Sequence, residues 1–462
     1  MSVIRPRPAG LQGAGTSSEP GAEPGAEPGS EPGTGTSSGT GPGSGYGSGA
    51  GYGAGYGSRA EAAADRPAAA RPGVRMVLVL GALSAFGPLS LDMYLPGLPQ
   101  LAEELGAAAS DAQLTLTACL LGLALGQLAG GPLADAFGRR RPLLWGLAGY
   151  ALASLLCAFA PSVGALTGLR FVQGLAGGFG IVISRAVVSD LYSGTAAARV
   201  FSLLMVVNGA APILAPLVGG QILRLTDWRG VFVALSLIGT GILAGAALVL
   251  GETLPPGARA VGGLGRTVRG FGALLRERRF LGETFTGAFG FGALMAYIAG
   301  SPFVLQQVYG LSAQQFSLVF GANALGIVAM GRLNARLLRR TPVRRLVGYG
   351  VAMCATGAAL LLAAALAGLG PAAVLPALLL VVSSIGLLGP NTAALALDGR
   401  PRSAGTASAL LGLCQYALGG VAAPLVGLGG AASALPMALV IGAFAALAVL
   451  TYAVVAPRSA SA

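Results

Sequence analysis

Gly131-Pro-Leu-Ala-Asp-Ala-Phe-Gly-Arg-Arg-Arg-Pro142 is a short basic break between two long apolar runs, 111–133 and 142–160. A bilayer core about 30 Å thick takes about 20 apolar residues per helix, and both runs have that size. Working outward, the same alternation fills most of the chain. Twelve apolar runs can be read, at 76–97, 111–133, 142–160, 163–189, 200–223, 230–250, 280–304, 314–336, 344–368, 372–397, 404–427 and 433–456. The arginines fall in every second gap. Arg71 and Arg75 precede the first run. Arg139, Arg140 and Arg141, then Arg199, then Arg259, Arg266, Arg269, Arg276, Arg278 and Arg279 follow the second, fourth and sixth. Arg332, Arg336, Arg339, Arg340, Arg344 and Arg345, then Arg400 and Arg402, then Arg458 follow the eighth, tenth and twelfth. The opposite gaps hold only Arg224 and Arg229. Short loops rich in Arg stay on the cytoplasmic side, so both termini are expected there, in a multi-pass protein of the inner (cytoplasmic) membrane.

Composition supports the same solvent. Hydrophobic residues make up 54% of the chain and charged residues 10%, against about 25% charged in a soluble domain. All 29 basic residues are Arg, and the net charge is +12. Such a charge would suit nucleic acid, but it sits in short loops between spans, so the expected partners are the lipid bilayer and a small-molecule substrate. No nucleic-acid partner is expected, and a monomer is the default. Cys119, Cys157, Cys354 and Cys414 lie inside apolar runs without metal-ligand spacing, and the chain has no His. They read as packing residues, with no metal and no cofactor expected beyond a proton gradient as driving force. No nucleophile–base pair or phosphate loop appears, so an enzyme is not expected.

Residues 1–72 are of another kind. Glu-Pro-Gly units from Glu19 and a Gly-Tyr-Gly repeat around Tyr46, Tyr52 and Tyr56 cannot bury enough apolar surface to offset ordering entropy. They are expected to be a disordered tail. Lacking an apolar segment, the tail is not expected to act as a signal peptide. The remaining organisation reads as an N-terminal six-helix half at 73–250, a cytoplasmic central loop at 251–279, a C-terminal six-helix half at 280–456 and a short tail at 457–462. The halves echo each other. The opening segment has a counterpart in Gly331-Arg-Leu-Asn-Ala-Arg-Leu-Leu-Arg-Arg-Thr-Pro342, with Gly131, Leu133, Arg139, Arg140 and Pro142 recurring as Gly331, Leu333, Arg339, Arg340 and Pro342. Duplicated halves suggest a pathway at their interface.

Here the residues resemble a known family. Gly131-Pro-Leu-Ala-Asp135-Ala-Phe-Gly138-Arg139-Arg140 looks like the cytoplasmic loop signature of the major facilitator superfamily of secondary transporters. Within it, the chain is most similar to the twelve-span drug:proton antiporters of the Bcr/CflA type. That likeness rests on Leu91-Asp-Met-Tyr-Leu-Pro-Gly-Leu-Pro99, on Leu169-Arg-Phe-Val-Gln-Gly174 running to Arg185-Ala-Val-Val-Ser-Asp190, on Ala211-Pro-Ile-Leu-Ala-Pro-Leu-Val-Gly-Gly220, and on Ala296-Tyr-Ile-Ala-Gly-Ser-Pro-Phe-Val-Leu-Gln306. It covers residues 76–456 and omits the tail. It implies an all-α membrane protein with twelve transmembrane helices in two six-helix halves.

The same resemblance implies proton coupling at Asp92 and Arg170. Asp92 lies deep in the first span, where an ionised carboxylate costs at least about 2.5–3.5 kcal/mol. Burial there favours the neutral acid, which makes it a group able to take and release a proton. The bland alternative is a solvated acid at the outer mouth, near Glu103 and Glu104. Arg170 stays charged at any accessible pH and is expected to modulate Asp92, directly or through water; its alternative is snorkelling to the interface. Asp135, Gly138, Arg139, Arg140, Arg185 and Asp190 read as a conformational latch by the resemblance, with Arg185 and Asp190 alternatively an interfacial pair. The second copy has Ala335 and Leu338 where the first has Asp135 and Gly138. Gly122, Gly126 and Gly130 place small faces on one side of a helix, and Pro212, Pro216, Gly219 and Gly220 mark a kinked fifth span. Polar groups in apolar runs tend to face a bundle interior. Tyr94, Asn208, Pro216, Tyr297, Ser301, Asn323, Asn391 and Gln415 are therefore cavity candidates, with interhelical hydrogen bonding as their alternative. Glu283, near Arg278 and Arg279, reads as interfacial.

These features read as proton-coupled efflux of small amphipathic molecules by alternating access. The alternatives are a metabolite symporter or facilitator of the same fold, and a non-transporting sensor or scaffold that uses the tail.

Overall fold

The computed structural model describes residues 73–259, 271–398, 404–430 and 432–455. The tail 1–72, Arg266, Arg269, Arg400, Arg402 and the end segment with Arg458 lie outside the described residues.

Among the described residues there are twelve spans, eleven of them single helices and one a bent pair. In chain order they are α1 (Val74–Ser84 with Phe86–Glu104), α2 (Ala109–Phe137), α3 (Arg140–Ala158), α4 (Val163–Leu191), α5 (Gly194–Ile222) and α6 (Trp228–Val249). Then come α7 (Arg278–Phe303, prolonged by a π turn Val304–Val308), α8 (Ala313–Leu337), α9 (Val343–Leu366), α10 (Pro371–Leu397), α11 (Ala404–Leu428) and α12 (Leu435–Val455). No strand occurs among the described residues. In hydrocarbon every backbone donor must be satisfied within the segment, and a helix does this alone. Helix starts carry their own acceptors. The Ser162 hydroxyl accepts from the Ala165 N–H, Asp227 from Arg229, and Ser312 and Gln315 form a reciprocal capping box.

α1 departs most from the expected 76–97. It runs from Val74 to Glu104 and bends by 43° at Ala85. The proline chemistry accounts for the break: Pro88 has no N–H, and its ring opposes the carbonyl four residues back, at Ser84. Pro96 and Pro99 turn the next stretch into a 3₁₀ segment and a further helical piece.

The glycine seam is real and reciprocal. A Cβ on Gly122 would meet the Phe171 carbonyl, and one on Gly126 would meet that of Leu175. From the other side, a Cβ on Gly174 would meet the Cys119 carbonyl, and one on Gly178 would lie 2.7 Å from that of Leu123. α2 and α4 therefore touch backbone to backbone. In α5, Gly219 admits the Met93 carbonyl of α1, and Gly220 faces Ser317 of α8.

α1–α6 and α7–α12 form the two halves. Their mutual hydrogen bonds, among the described residues, all lie toward the arginine-poor end. Gln113 donates to the Ala299 carbonyl (3.0 Å), Thr117 to Gly420 (2.9 Å) and Gln314 to Gly220 (3.0 Å). Gly427 of α11 is packed against Ser110 and Gln113 of α2 at the same end.

A candidate transport site between the halves

Beneath that seal lies a cavity of about 220 Å³. Pro88, Leu91 and Asp92 of α1, Leu120 and Leu123 of α2 and Pro212 of α5 form one wall. Phe291, Met295, Tyr297 and Ile298 of α7, Phe320 and Ile327 of α8, Val382 of α10 and Tyr416 of α11 form the other. Among the described residues that line it, Asp92 is the one charged side chain. It is 6% exposed, and no hydrogen bond or ion pair to its carboxylate occurs among the described residues.

Arg170 sits elsewhere. It is fully buried inside the first half, so it does not snorkel. Its guanidinium donates to the Ser90 carbonyl (2.7 Å) and to Gln173, and it lies 4.3 Å from the centre of the Tyr94 ring. Gln173 in turn donates to Ser154, and Ser90 shares a hydrogen bond with Tyr150 (2.9 Å). Of the two expected routes, direct or through water, the direct one is not seen: no contact between Arg170 and Asp92 occurs among the described residues. Helix geometry explains why. Ser90 and Tyr94 stand four residues apart and share one face, while Asp92, two residues from each, points the other way. One guanidinium thus grips the back of α1 on both sides of Asp92, while the carboxylate faces the cavity.

The cavity candidates divide. Tyr297 lines the cavity, and its hydroxyl accepts from Asn323 (2.9 Å). Ser301 is buried one turn further along α7. Tyr94 is buried in the first half against Arg170 and Thr115, not at the cavity. Asn208 donates to Leu204 of its own helix (2.9 Å). Asn391 pairs with Asn334 (2.7 Å), which satisfies both amides between α10 and α8. Pro216 and Gln415 are not in the lining; Pro212, one turn before Pro216, and Tyr416, next to Gln415, are.

At the arginine-rich end of the first half, the latch residues form a cluster with a different wiring from the expected one. Arg139 pairs with Asp135 (2.6 Å) and with Asp190 (2.9 Å). Asp190 therefore serves Arg139 rather than Arg185, which is exposed. Arg140 donates to the Leu250 and Ala247 carbonyls (3.0 Å each), capping the end of α6. Glu252 returns the favour by accepting the Arg139 N–H (2.8 Å) and the Arg140 N–H (3.3 Å) at the start of α3. Partial burial works against its charge. The N–H groups of Leu254, Arg139 and Arg140 and the Arg259 guanidinium outweigh that and hold the Glu252 carboxyl below the usual glutamate range. Gly138 turns at φ 88°, and a Cβ there would run into the Glu252 carboxylate. In the second copy, Leu338 is helical at φ −55°, and the charge pairing differs. Glu283, in the second turn of α7, is 2% exposed and paired with Arg344 of α9 (3.0 Å).

Sequence reasoning missed Glu252, Ser90, Tyr150 and the aromatic wall. Glu252 stands three residues beyond α6 and gave no signal of its partner. Phe291 and Phe320 are indistinguishable by type from lipid-facing residues.

A two-lobed helical bundle with a shared central cavity is the architecture of a secondary transporter. The profile of the Major Facilitator Superfamily matches residues 78–424, and the chain belongs to that family. It is a multi-pass membrane transporter of small molecules and not an enzyme. Over 384 residues it is 40% identical to the uncharacterized MFS-type transporter YdgK of Bacillus subtilis (strain 168), covering 82% of this chain and 94% of that one. It is 32% identical to a bicyclomycin resistance protein homolog of Haemophilus influenzae over 376 residues, covering 81% and 94%. These relatives agree with the Bcr/CflA-type resemblance. Among solved structures, a bacterial homolog of the human lysosomal transporter Spinster, captured inward-facing and unoccupied, superposes with a TM-score of 0.68 at 16% identity. That match covers 84% of this chain and 97% of the other, and it speaks to the fold.

Proposed function

We propose that this protein is a proton-driven exporter of small amphipathic molecules in the inner membrane, with both termini in the cytoplasm. One observation carries the reading: the cavity between the halves is apolar and aromatic, and its single charged side chain is an acid without a partner among the described residues. An ionised carboxylate in such a wall is costly. Binding a proton removes that cost, and so does an amphipathic ligand that offers the carboxylate a donor or a positive charge. The two therefore compete for Asp92. A proton can drive the cycle only by binding the two conformations unequally, and a site at the junction of the halves meets that condition.

The seal lies at the arginine-poor end. With the arginine-rich loops in the cytoplasm, this state is inward-facing. In the proposed cycle Asp92 is loaded with a proton while facing outward. The halves then rock, and substrate entering from the cytoplasm displaces the proton. The relative named as a bicyclomycin resistance protein homolog supports export as the direction.

The test is respiration-driven uptake of ethidium into everted membrane vesicles. Uptake that collapses with a protonophore and is lost in Asp92→Asn is expected. Proton-driven uptake at the wild-type rate in Asp92→Asn would remove this acid from the mechanism, and release of ethidium in place of uptake would reverse the assigned direction.

A further inference from the structure

The duplicated loop differs between the halves in what its arginines touch. In the first copy, Arg139 is bound by Asp135 and Asp190, and Arg140 by two carbonyls. In the second, the acid is replaced by Ala335, and the chain carries no Asp or Glu anywhere between Glu283 and Asp398. Arg344 takes Glu283. Arg332, Arg336, Arg339, Arg340 and Arg345 are exposed, and their side chains make no ion pair or hydrogen bond among the described residues. This is a concentrated positive field that no acidic side chain answers among the described residues.

Its placement says what can. Leu318 and Leu325 are 64% and 54% exposed on α8. Arg332 follows at the same seven-residue step and Arg336 one turn later, so the arginines continue the lipid-facing stripe of the helix. They occupy its last turns, at the arginine-rich end. On α9, Arg345 shares a face with the exposed Tyr349, four residues on, and tyrosines favour the membrane–water interface. Exposed Leu333 and Leu338 lie between the arginines. Guanidinium groups bind phosphate bidentately, and basic clusters just outside a span attract anionic lipid.

We propose that the α8–α9 junction is a binding surface for anionic phospholipid headgroups in the leaflet at the arginine-rich end. A topology signal alone needs only positive charge in the loop. It does not require arginines aligned with an exposed apolar stripe and left without an ion pair among the described residues. The occupant is a lipid rather than free phosphate because the apolar stripe supplies a place for its acyl chains.

The experiment is native mass spectrometry of the full chain in detergent, titrated with phosphatidylglycerol or phosphatidylcholine. Phosphatidylglycerol should bind the wild-type protein preferentially. Replacing Arg332, Arg336, Arg339, Arg340 and Arg345 by Gln should weaken that binding by about tenfold or more. Replacing them by Lys, which preserves charge and topology, should retain most of it. If the all-glutamine protein does not accumulate, Arg332→Gln/Arg336→Gln carries the test, because Arg339, Arg340, Arg344 and Arg345 remain to hold the topology; a clear loss of phosphatidylglycerol preference is expected. Equal phosphatidylglycerol binding by wild-type and glutamine proteins would overturn the proposal. So would displacement of the lipid by inorganic phosphate at equal concentration.

Discussion

Gly427→Ala should tilt the balance between the two conformations. In this state the Gly427 Cα faces α2 so closely that an added Cβ would overlap the Ser110 Cα, approach its nitrogen to 2.7 Å and meet the Gln113 Oε1 at 2.6 Å. Two of these atoms are backbone and cannot rotate away. Forcing a methyl group into a packed contact costs about 1–3 kcal/mol. The cost falls only on the state in which the halves meet at the arginine-poor end, because separation relieves it. A bias of that size changes the ratio of the two states by about 5–150-fold. The assay is a spin-label distance measurement between Ala108 and Leu369, both exposed at the arginine-poor end on opposite halves. Gly427→Ala should move population from the short-distance to the long-distance peak. Gly412→Ala is the control, since a Cβ there on the same helix meets nothing within 4 Å. A Gly427→Ala distribution identical to wild type would refute the reasoning, as would an equal shift in Gly412→Ala.

Further outcomes follow from the polar clusters. Asn391→Leu should destabilise the detergent-solubilised protein by about 1–3 kcal/mol, because it strands the buried Asn334 amide; Asn334→Leu/Asn391→Leu should recover much of the loss, as calorimetric melting would show. Glu252→Gln should cost about 1 kcal/mol through the α3 start. The sign of its pH effect is definite: a carboxyl held below its usual range stabilises the fold above the ordinary glutamate value of about 4.3 and loses that contribution as pH falls further. Acid melting curves should therefore show a component below about pH 4 that Glu252→Gln lacks. Gly138→Ala should displace the Glu252 carboxylate and raise the susceptibility of the α6 end to proteolysis, whereas Leu338→Ala, at a helical φ, should not.

The twelve spans were legible because a bilayer imposes one length and one composition on each, and the arginine pattern marks alternate loops. The glycine seam was legible because four-residue spacing is a property of one helix. Asp92 stood out as a charge in an apolar run. What could not be read depends on the direction a side chain takes across the bundle. Asp92 and Arg170 looked like natural partners in sequence, yet α1 presents Ser90 and Tyr94 to the guanidinium and turns Asp92 away. Tyr94 looked like a cavity residue for the same reason. Phe291, Phe320 and Tyr416 were hidden because apolar residues facing a cavity and facing lipid have the same composition. Glu252 and Glu283 find their partners through tertiary contacts that no local spacing announces. The second loop copy preserves the arginines of the first, but its Leu338 continues the helix where Gly138 turns.

The most direct measurement of the central claim is proton release on ligand binding by the purified, full-length protein in weakly buffered detergent. Ethidium added to the wild-type protein should acidify the solution, with the amplitude falling as the starting pH rises and Asp92 is emptied beforehand. Asp92→Asn should bind ethidium without any acidification. Release of the same size from the Asn variant, or binding by the wild type with no release at any pH, would contradict the account.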